Sequence, residues 1–336
     1  MSSFTPKILI ITNSKDEHAH LIVYQLNKLK TKVFRLDTDR LEKYFRISFY
    51  PNAKSPHFLC QTPVGRFDSQ EISTLWIRRP NYADEGKDSV YKKLVRQEKY
   101  ALFVGISEYF PKTTRIVDAP ESVIRASNKV QQIVIARNLG FTFPESLITN
   151  DPTKAATFIK RLKGNVIIKP IDSGYAEAGN TGLSIHTTLV KPNADLSLVR
   201  NCPTYFQENI QKQYELRITV IGRKIFPVAF DVSGIPEAHI DSRMSVSQLD
   251  KVPHKLVKIP QSLEKKILSL LDYYGLHFSA IDMAKTPEGK YVFFELNPAG
   301  QFLWLDRFTP GLSLKSEMAN YLSGVSEVQK HERKLL

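Results

Sequence analysis

Cysteine is scarce in this chain. Cys60 and Cys202 are the only two in 336 residues, far apart and outside any CxxC spacing, so neither a disulfide scaffold nor a zinc site is expected. Long apolar runs are missing too. Nothing approaches the roughly 20 consecutive apolar residues of a membrane span, and the opening stretch from Met1 to Asn13 lacks a signal peptide's apolar core. The expected compartment is the cytoplasm. Acid is in short supply: 34 Asp and Glu stand against 47 Lys and Arg, for a net charge of +13. That balance calls for an anionic partner. Basic residues are spread along the chain, densest at 28–32, 251–258 and in the tail near 330–334. There is no RNA-recognition signature, zinc finger or clear helix-turn-helix, so nucleic acid is not an expected partner. Repeats and low-complexity tracts are absent as well.

What is present reads as globular: 42% of residues are hydrophobic and 24% charged. The length suits two or three structural units. Strands are expected at 8–11, 31–36 and 74–77, with helices at 18–29 and 91–110, giving an α/β unit. Near Arg115 the character changes. The spacing predicts a helix over 122–139, a strand at 143–150, a helix at 153–162 opened by Asp151-Pro152, and a strand at 165–170 ending near Lys169. A glycine-containing connection, Asp172-Ser-Gly-Tyr-Ala-Glu-Ala-Gly-Asn-Thr-Gly182, follows. Strands are then expected at 204–210, 214–220 and 225–232, an amphipathic helix at 262–274, and a last helix at 313–322.

The chemistry concentrates in Tyr291-Val-Phe-Phe-Glu-Leu-Asn-Pro-Ala-Gly-Gln-Phe-Leu-Trp304. Side chains alternate along a strand, so Glu295 and Asn297 share one face. Upstream, Ser279-Ala-Ile-Asp-Met-Ala-Lys285 reads as a partner strand carrying Asp282, and Thr286-Pro-Glu-Gly-Lys290 reads as the turn between them. Such a hairpin gathers two carboxylates and an amide oxygen, a hard-oxygen set suited to Mg²⁺ held with substrate phosphates. Lys169 closes an apolar strand just before a loop carrying Gly174, Gly179 and Gly182, where backbone amides can approach phosphate closely. No Walker A motif is present. Gln207, Glu208, Asn209 and Ile210 can run along an adenine edge. Glu215 and Arg217 share a strand face; a carboxylate there can accept from ribose hydroxyls and an arginine can clamp phosphates, or the two can form a surface ion pair.

In that order, Lys129, Lys169, the glycine loop, residues 207–210, Glu215-x-Arg217, Asp282 and Glu295-x-Asn297 resemble an ATP-grasp ligase. The resemblance implies α+β subdomains enclosing ATP, with Lys129 and Lys169 on phosphates or adenine, Glu208 to Ile210 as adenine hinge, Glu215 on ribose, Arg217 on phosphates, and Asp282, Glu295 and Asn297 on two Mg²⁺ ions. Asp37-Thr-Asp39, Trp76-Ile-Arg-Arg-Pro80, Arg125-Ala-Ser-Asn-Lys129, Lys212-x-x-Glu-Leu-Arg217 and Glu295 to Trp304 are together similar to the microviridin-type, or graspetide, ATP-grasp peptide maturases. This likeness implies an ATP-grasp fold with an N-terminal pre-ATP-grasp α/β domain. Its units would be 1–115, a central subdomain 116–204, a C-terminal subdomain 205–326 and a basic tail 327–336. His239-Ile-Asp-Ser-Arg-Met244 matches loosely: Ser242 stands where relatives carry an aromatic, and Arg243 would clamp the reacting carboxylate or acyl phosphate.

The activity so implied joins Asp or Glu side chains of an acidic ribosomal precursor peptide, a leader plus a core, to Ser/Thr hydroxyls or Lys amines, consuming ATP. Lys169, Arg217 and Arg243 are the expected catalytic cations. The loop at 173–182 is the expected lid, and a homodimer is left open. A different ATP-grasp carboxylate–amine ligase is the alternative, and a non-catalytic nucleotide or nucleic-acid binder the third reading. No spacing singles out a general base among His18, His20, His186, His239 and His277.

Overall fold

The computed structural model of the chain describes residues 7–82, 90–172, 174–178, 181–191, 193–231 and 252–324. Gly179, Arg243 and the expected basic tail lie outside them. The apolar run Lys7–Thr12 forms strand β1 and is buried over nearly its whole length, as strands of parallel sheets are when both faces are covered. Helix α1, Glu17–Lys28, starts where the Asp16 side chain accepts from the His18 and Ala19 amides, satisfying two of the amides left unbonded at a helix start. Strand β2 (Lys32–Asp37), helix α2 (Leu41–Tyr44), and an antiparallel meander of β3 (Arg46–Tyr50), β4 (His57–Thr62) and β5 (Gly65–Asp68) follow. Then come β6 (Thr74–Ile77), α3 (Val90–Ile106) and β7 (Arg115–Val117). These build a four-stranded parallel sheet in the order β2-β1-β6-β7.

The single helix expected at 122–139 is two: α4, Pro120–Ser127, and α5, Lys129–Asn138. Asn128 breaks it, with an extended backbone (φ −76°, ψ 102°) and a side chain that accepts from the Gln131 amide. Its short polar side chain competes with the helical ladder and restarts it. The break puts Lys129 at the head of a new helix. Next are β8 (Ser146–Thr149), α6 (Pro152–Arg161, capped by Asp151), β9 (Val166–Lys169), β10 (Tyr175–Ala178), β11 (Thr181–Ser184), β12 (Thr188–Leu189) and β13 (Thr204–Glu208). The glycine connection is therefore a hairpin, β10 pairing with β11, rather than an open loop. β12-β9-β13-β8 make a separate central sheet.

The remaining elements are β14 (Tyr214–Ile221), β15 (Lys224–Phe230), β16 (His254–Leu256), α7 (Gln261–Tyr274), β17 (Phe278–Lys285), β18 (Tyr291–Asn297), α8 (Trp304–Phe308) and α9 (Leu314–Ser323). The strands form an antiparallel sheet in the order β16-β15-β14-β17-β18. One face packs Leu216, Ile218 and Phe293 against Ile267 and Leu271 of α7. The other shares a core with the parallel sheet, where Ile8, Ile10, Ile22 and Leu26 meet Phe278, Phe302, Met318 and Leu322. The N-terminal α/β unit and the C-terminal sheet are thus held by common apolar burial, the dominant favourable term in packing. Among the described residues no helix is long and apolar enough to cross a membrane.

Candidate active site

The β17–β18 hairpin forms as its sequence dictates. Gly289, at φ +83°, supplies the left-handed turn residue, and the Gly289 amide donates to the Thr286 carbonyl over 2.9 Å. Register then aligns a row of charged side chains. Arg217 of β14 is the partner of Asp282, and Asp282 the partner of Glu295, with the ladder shifting just after Asp282. Directly opposed residues sit on one face at close range. Arg217 donates to Asp282 over 2.7 Å, and the Asn297 amide donates to Asp282 over 3.3 Å and to Glu295 over 3.2 Å.

Burial pushes the Asp282 carboxyl up, Arg217 pulls it down, and Glu295 raises it again. Two carboxylates so placed resist joint ionisation. A divalent cation between them removes that penalty, and half a turn of the Asn297 amide presents its oxygen to the same point. The residues therefore fit Mg²⁺. Asp282, Glu295 and Asn297 offer three oxygens, and a hard cation with few protein ligands takes the rest from substrate phosphates and water.

This row lies in a cavity of about 950 Å³. Lys129, Lys169, Gln207, Glu208, Asn209, Ile210, Glu215, Arg217, Asp282, Glu295 and Asn297 all line it. The Lys129 ammonium lies 3.2 Å from Glu295 and donates to the Pro170 and Asp172 carbonyls at 3.1 Å. It thereby ties the acidic strand to the chain leaving β9. Lys169 sits over the Tyr205 ring at 4.9 Å. Gln207 is buried and donates to the Tyr205 hydroxyl over 2.7 Å and to Ser146 over 3.2 Å, which makes its side chain part of the wall. The Glu208 and Asn209 amides donate to the Glu145 and Asn165 carbonyls. Gly174, at φ +71°, would place a Cβ 2.6 Å from Pro170 and 2.7 Å from the Ile185 carbonyl, so it packs the base of the hairpin. Glu215 and Arg217 do not pair with each other. Glu215 takes the Lys212 ammonium at 2.5 Å, because Arg217 is committed to Asp282.

Several contributors were given no role by the sequence. Lys212 is one. Gln132 is another: it is buried, donates to the Leu296 carbonyl over 2.8 Å and accepts from the Leu296 amide over 2.9 Å. It thereby fixes the open edge of β18 between Glu295 and Asn297. Arg78, 3% exposed, donates to the Ala299 and Gly300 carbonyls and lies over the Phe278 and Phe302 rings. His18 accepts from the Phe302 and Leu303 amides over 3.1 and 3.2 Å. Burial, with Arg78, lowers its pKa to about 4, so the ring is a neutral acceptor. At Gly300 a Cβ would stand 2.6 Å from Ala280 and 2.9 Å from Arg217. The Pro298–Leu303 stretch is thus clamped from the N-terminal unit. The signals for these roles were adjacent arginines after a buried strand and a histidine in a first helical turn, neither specific alone. Trp304 lines the cavity and packs against Phe230 and His254.

A family profile described as the MvdD pre-ATP grasp domain matches residues 7–123. No curated protein matches. Among solved structures, the chain is similar to a Chryseobacterium gregarium RiPP-associated ATP-grasp ligase in complex with ADP and a leader and core peptide. That match has 29% identity and a TM-score of 0.85 over 94% of this chain and 96% of that one. It is also similar to macrocyclase MdnC from Microcystis aeruginosa MRC, bound with precursor peptide MdnA, at 27% identity and TM-score 0.82, over 95% and 99% of the two chains. Macrocyclase MdnB from the same organism matches at 25% identity and TM-score 0.76, over 94% and 99%. The architecture is an ATP-grasp fold behind an N-terminal pre-ATP-grasp α/β unit.

Proposed function

From a chain that is an ATP-grasp ligase of the kind found in ribosomal peptide maturation, we propose an ATP-dependent macrocyclase acting on its own acidic precursor peptide. The observation that carries this is the Arg217–Asp282–Glu295 row, spanned by Asn297, on the floor of a cavity also lined by Lys129 and Lys169. A carboxylate is a poor acyl donor, because its leaving group would be oxide. Transfer of the γ-phosphoryl group of ATP converts it to an acyl phosphate and ADP. A Ser or Thr hydroxyl, or a Lys amine, then attacks the acyl carbon, loses its proton and releases phosphate, closing an ω-ester or ω-amide. Mg²⁺, when bound by Asp282, Glu295 and Asn297, neutralises phosphate charge.

The chain's own residues do the rest. Lys129 and Lys169 face the phosphates, Arg217 orients Asp282 and meets charge that develops on transfer, and Arg243 joins the catalytic cations. Glu215, held by Lys212, faces the ribose. With the Glu208 and Asn209 amides engaged inside the wall, the chain at Ile210 is the adenine edge. The unit division at 115, 204 and 326, the lid role of the 173–182 segment, a cytoplasmic setting and a homodimer belong to the same reading. The test is mass spectrometry of the cognate precursor with ATP and Mg²⁺. One water lost per ring, with matching ADP and phosphate, is expected, together with a loss of at least about 100-fold in kcat for Glu295→Gln. Mass gain from a second substrate would establish the alternative carboxylate–amine ligase. Unchanged ATP turnover in Glu295→Gln would remove the site assignment.

A further inference from the structure

The carboxyl end of the parallel sheet opens into the same cavity. In the order β2-β1-β6-β7, the chain leaves β1 toward α1, which packs with the core shared with the C-terminal sheet. It leaves β6 toward α3, which packs Phe103 and Ile106 into the core on the opposite face. The carboxyl ends of β1 and β6 are therefore a topological switch point, the place where open α/β sheets take ligands. The two loops there are tied together. The Asn13 amide donates to the Arg79 carbonyl over 2.6 Å, Arg35 donates to the Asn13 carbonyl over 2.8 Å, and Asp39 accepts from the Ser14 amide and hydroxyl. The Arg78 amide continues the ladder to the Ile11 carbonyl over 3.0 Å.

From this rim Lys15 and Arg79 line the cavity. Among the described residues neither side chain has a carboxylate partner. The nearest acid in sequence, Asp16, is already engaged by the Thr12 hydroxyl over 2.7 Å and by the His18 and Ala19 amides. Glu17, in the first turn of α1, also lines the space. Around His18, Arg78, Arg79 and Arg217 disfavour a charge on the ring and Asp16 favours one.

We propose that this switch-point crevice is a second subsite of the cavity, in which Lys15 and Arg79 hold a side-chain carboxylate of the peptide substrate other than the one activated beside Asp282 and Glu295. The assignment rests on the macrocyclase reading. It gives the pre-ATP-grasp unit a role in setting which acidic residue is activated: anchoring one carboxylate fixes the register of the next. Arginine in particular offers a fork matched to a carboxylate.

The experiment measures binding, by calorimetry in the presence of MgADP, of a synthetic Thr- and Glu-containing core-like peptide and of its counterpart with every Glu replaced by Gln. Wild-type protein is expected to favour the acidic peptide by at least about tenfold. Lys15→Ala/Arg79→Ala is expected to reduce that preference at least about fivefold, and Arg79→Lys to retain part of it. MgADP affinity should not move. Arg223→Ala/Lys224→Ala removes the same two charges elsewhere and should leave the preference unchanged. An unaltered preference in the double variant overturns the proposal. So does equal wild-type binding of the two peptides, or a parallel fall in MgADP affinity, which would assign the cations to the nucleotide. Acid preference without peptide-dependent ATP turnover would instead sink the macrocyclase reading and leave the subsite standing.

Discussion

At the scale of single residues, His18 holds backbone close to the Arg217–Asp282–Glu295 row without belonging to it. Its ring must stay neutral to accept from the Phe302 and Leu303 amides, and burial lowers its pKa from 6.5 to about 4. The unfolded chain therefore takes up the proton first. The stability that His18 contributes is fully present above its unfolded value and is lost as pH falls from about 6.5 toward about 4. Thermal unfolding of wild type and His18→Gln across that window should show the variant less stable near neutrality and with a shallower decline in acid. Parallel curves would show that His18 is not the linked site. Asp282, Glu295 and Asn297 were legible in the sequence because strand alternation alone puts Glu295 and Asn297 together. Arg78 and Arg79 were not. Alternation separates the pair onto two faces, but only the fold shows that Arg78 reaches Ala299 and Gly300, more than 200 residues away in sequence (|i−j| 221 and 222), while Arg79 lines the cavity.

At the scale of elements, β18 is an edge strand, and its outer backbone groups need partners. Gln132 of α5 supplies them at Leu296 and also donates to the Ala126 carbonyl over 2.5 Å. Gln132→Leu keeps the volume and removes all three bonds, leaving buried backbone groups unsatisfied at a cost of about 2–4 kcal/mol. Denaturant unfolding should show that loss. The Mg²⁺ concentration giving half-maximal ATP turnover should rise, because Glu295 and Asn297 flank the freed residue. A loss of stability with an unchanged Mg²⁺ requirement would limit Gln132 to a structural role. Helix positions at 261–274 and 152–161 were readable from periodicity and from the Asp151-Pro152 start. The break at Asn128 was not, since the apolar spacing runs straight through it and only the cap geometry interrupts it. The pairing of β10 with β11 was hidden by glycines and small residues, which carry no alternating pattern.

At the scale of the whole molecule, the net charge of +13 acts on two ligands in different ways. At the proposed nucleotide site the cations already carry acidic partners: Lys129 with Glu295, Arg217 with Asp282, Lys212 with Glu215. Those pairs are largely buried, where solvent ions screen less. The acidic peptide proposed as substrate would instead meet Lys15 and Arg79 at the open rim, where attraction is long-ranged and exposed to salt. Raising ionic strength from about 0.01 M to about 0.15 M shortens the Debye length from about 30 Å to about 8 Å. Over that range kcat/KM for the acidic precursor should fall about tenfold or more, mostly through KM, while KM for MgATP changes by less than about threefold. Steady-state kinetics with each substrate varied at saturating levels of the other separates the two. Equal salt dependence would mean that the surplus charge serves the nucleotide, and a salt-independent peptide KM would leave the basic surface without a part in substrate capture.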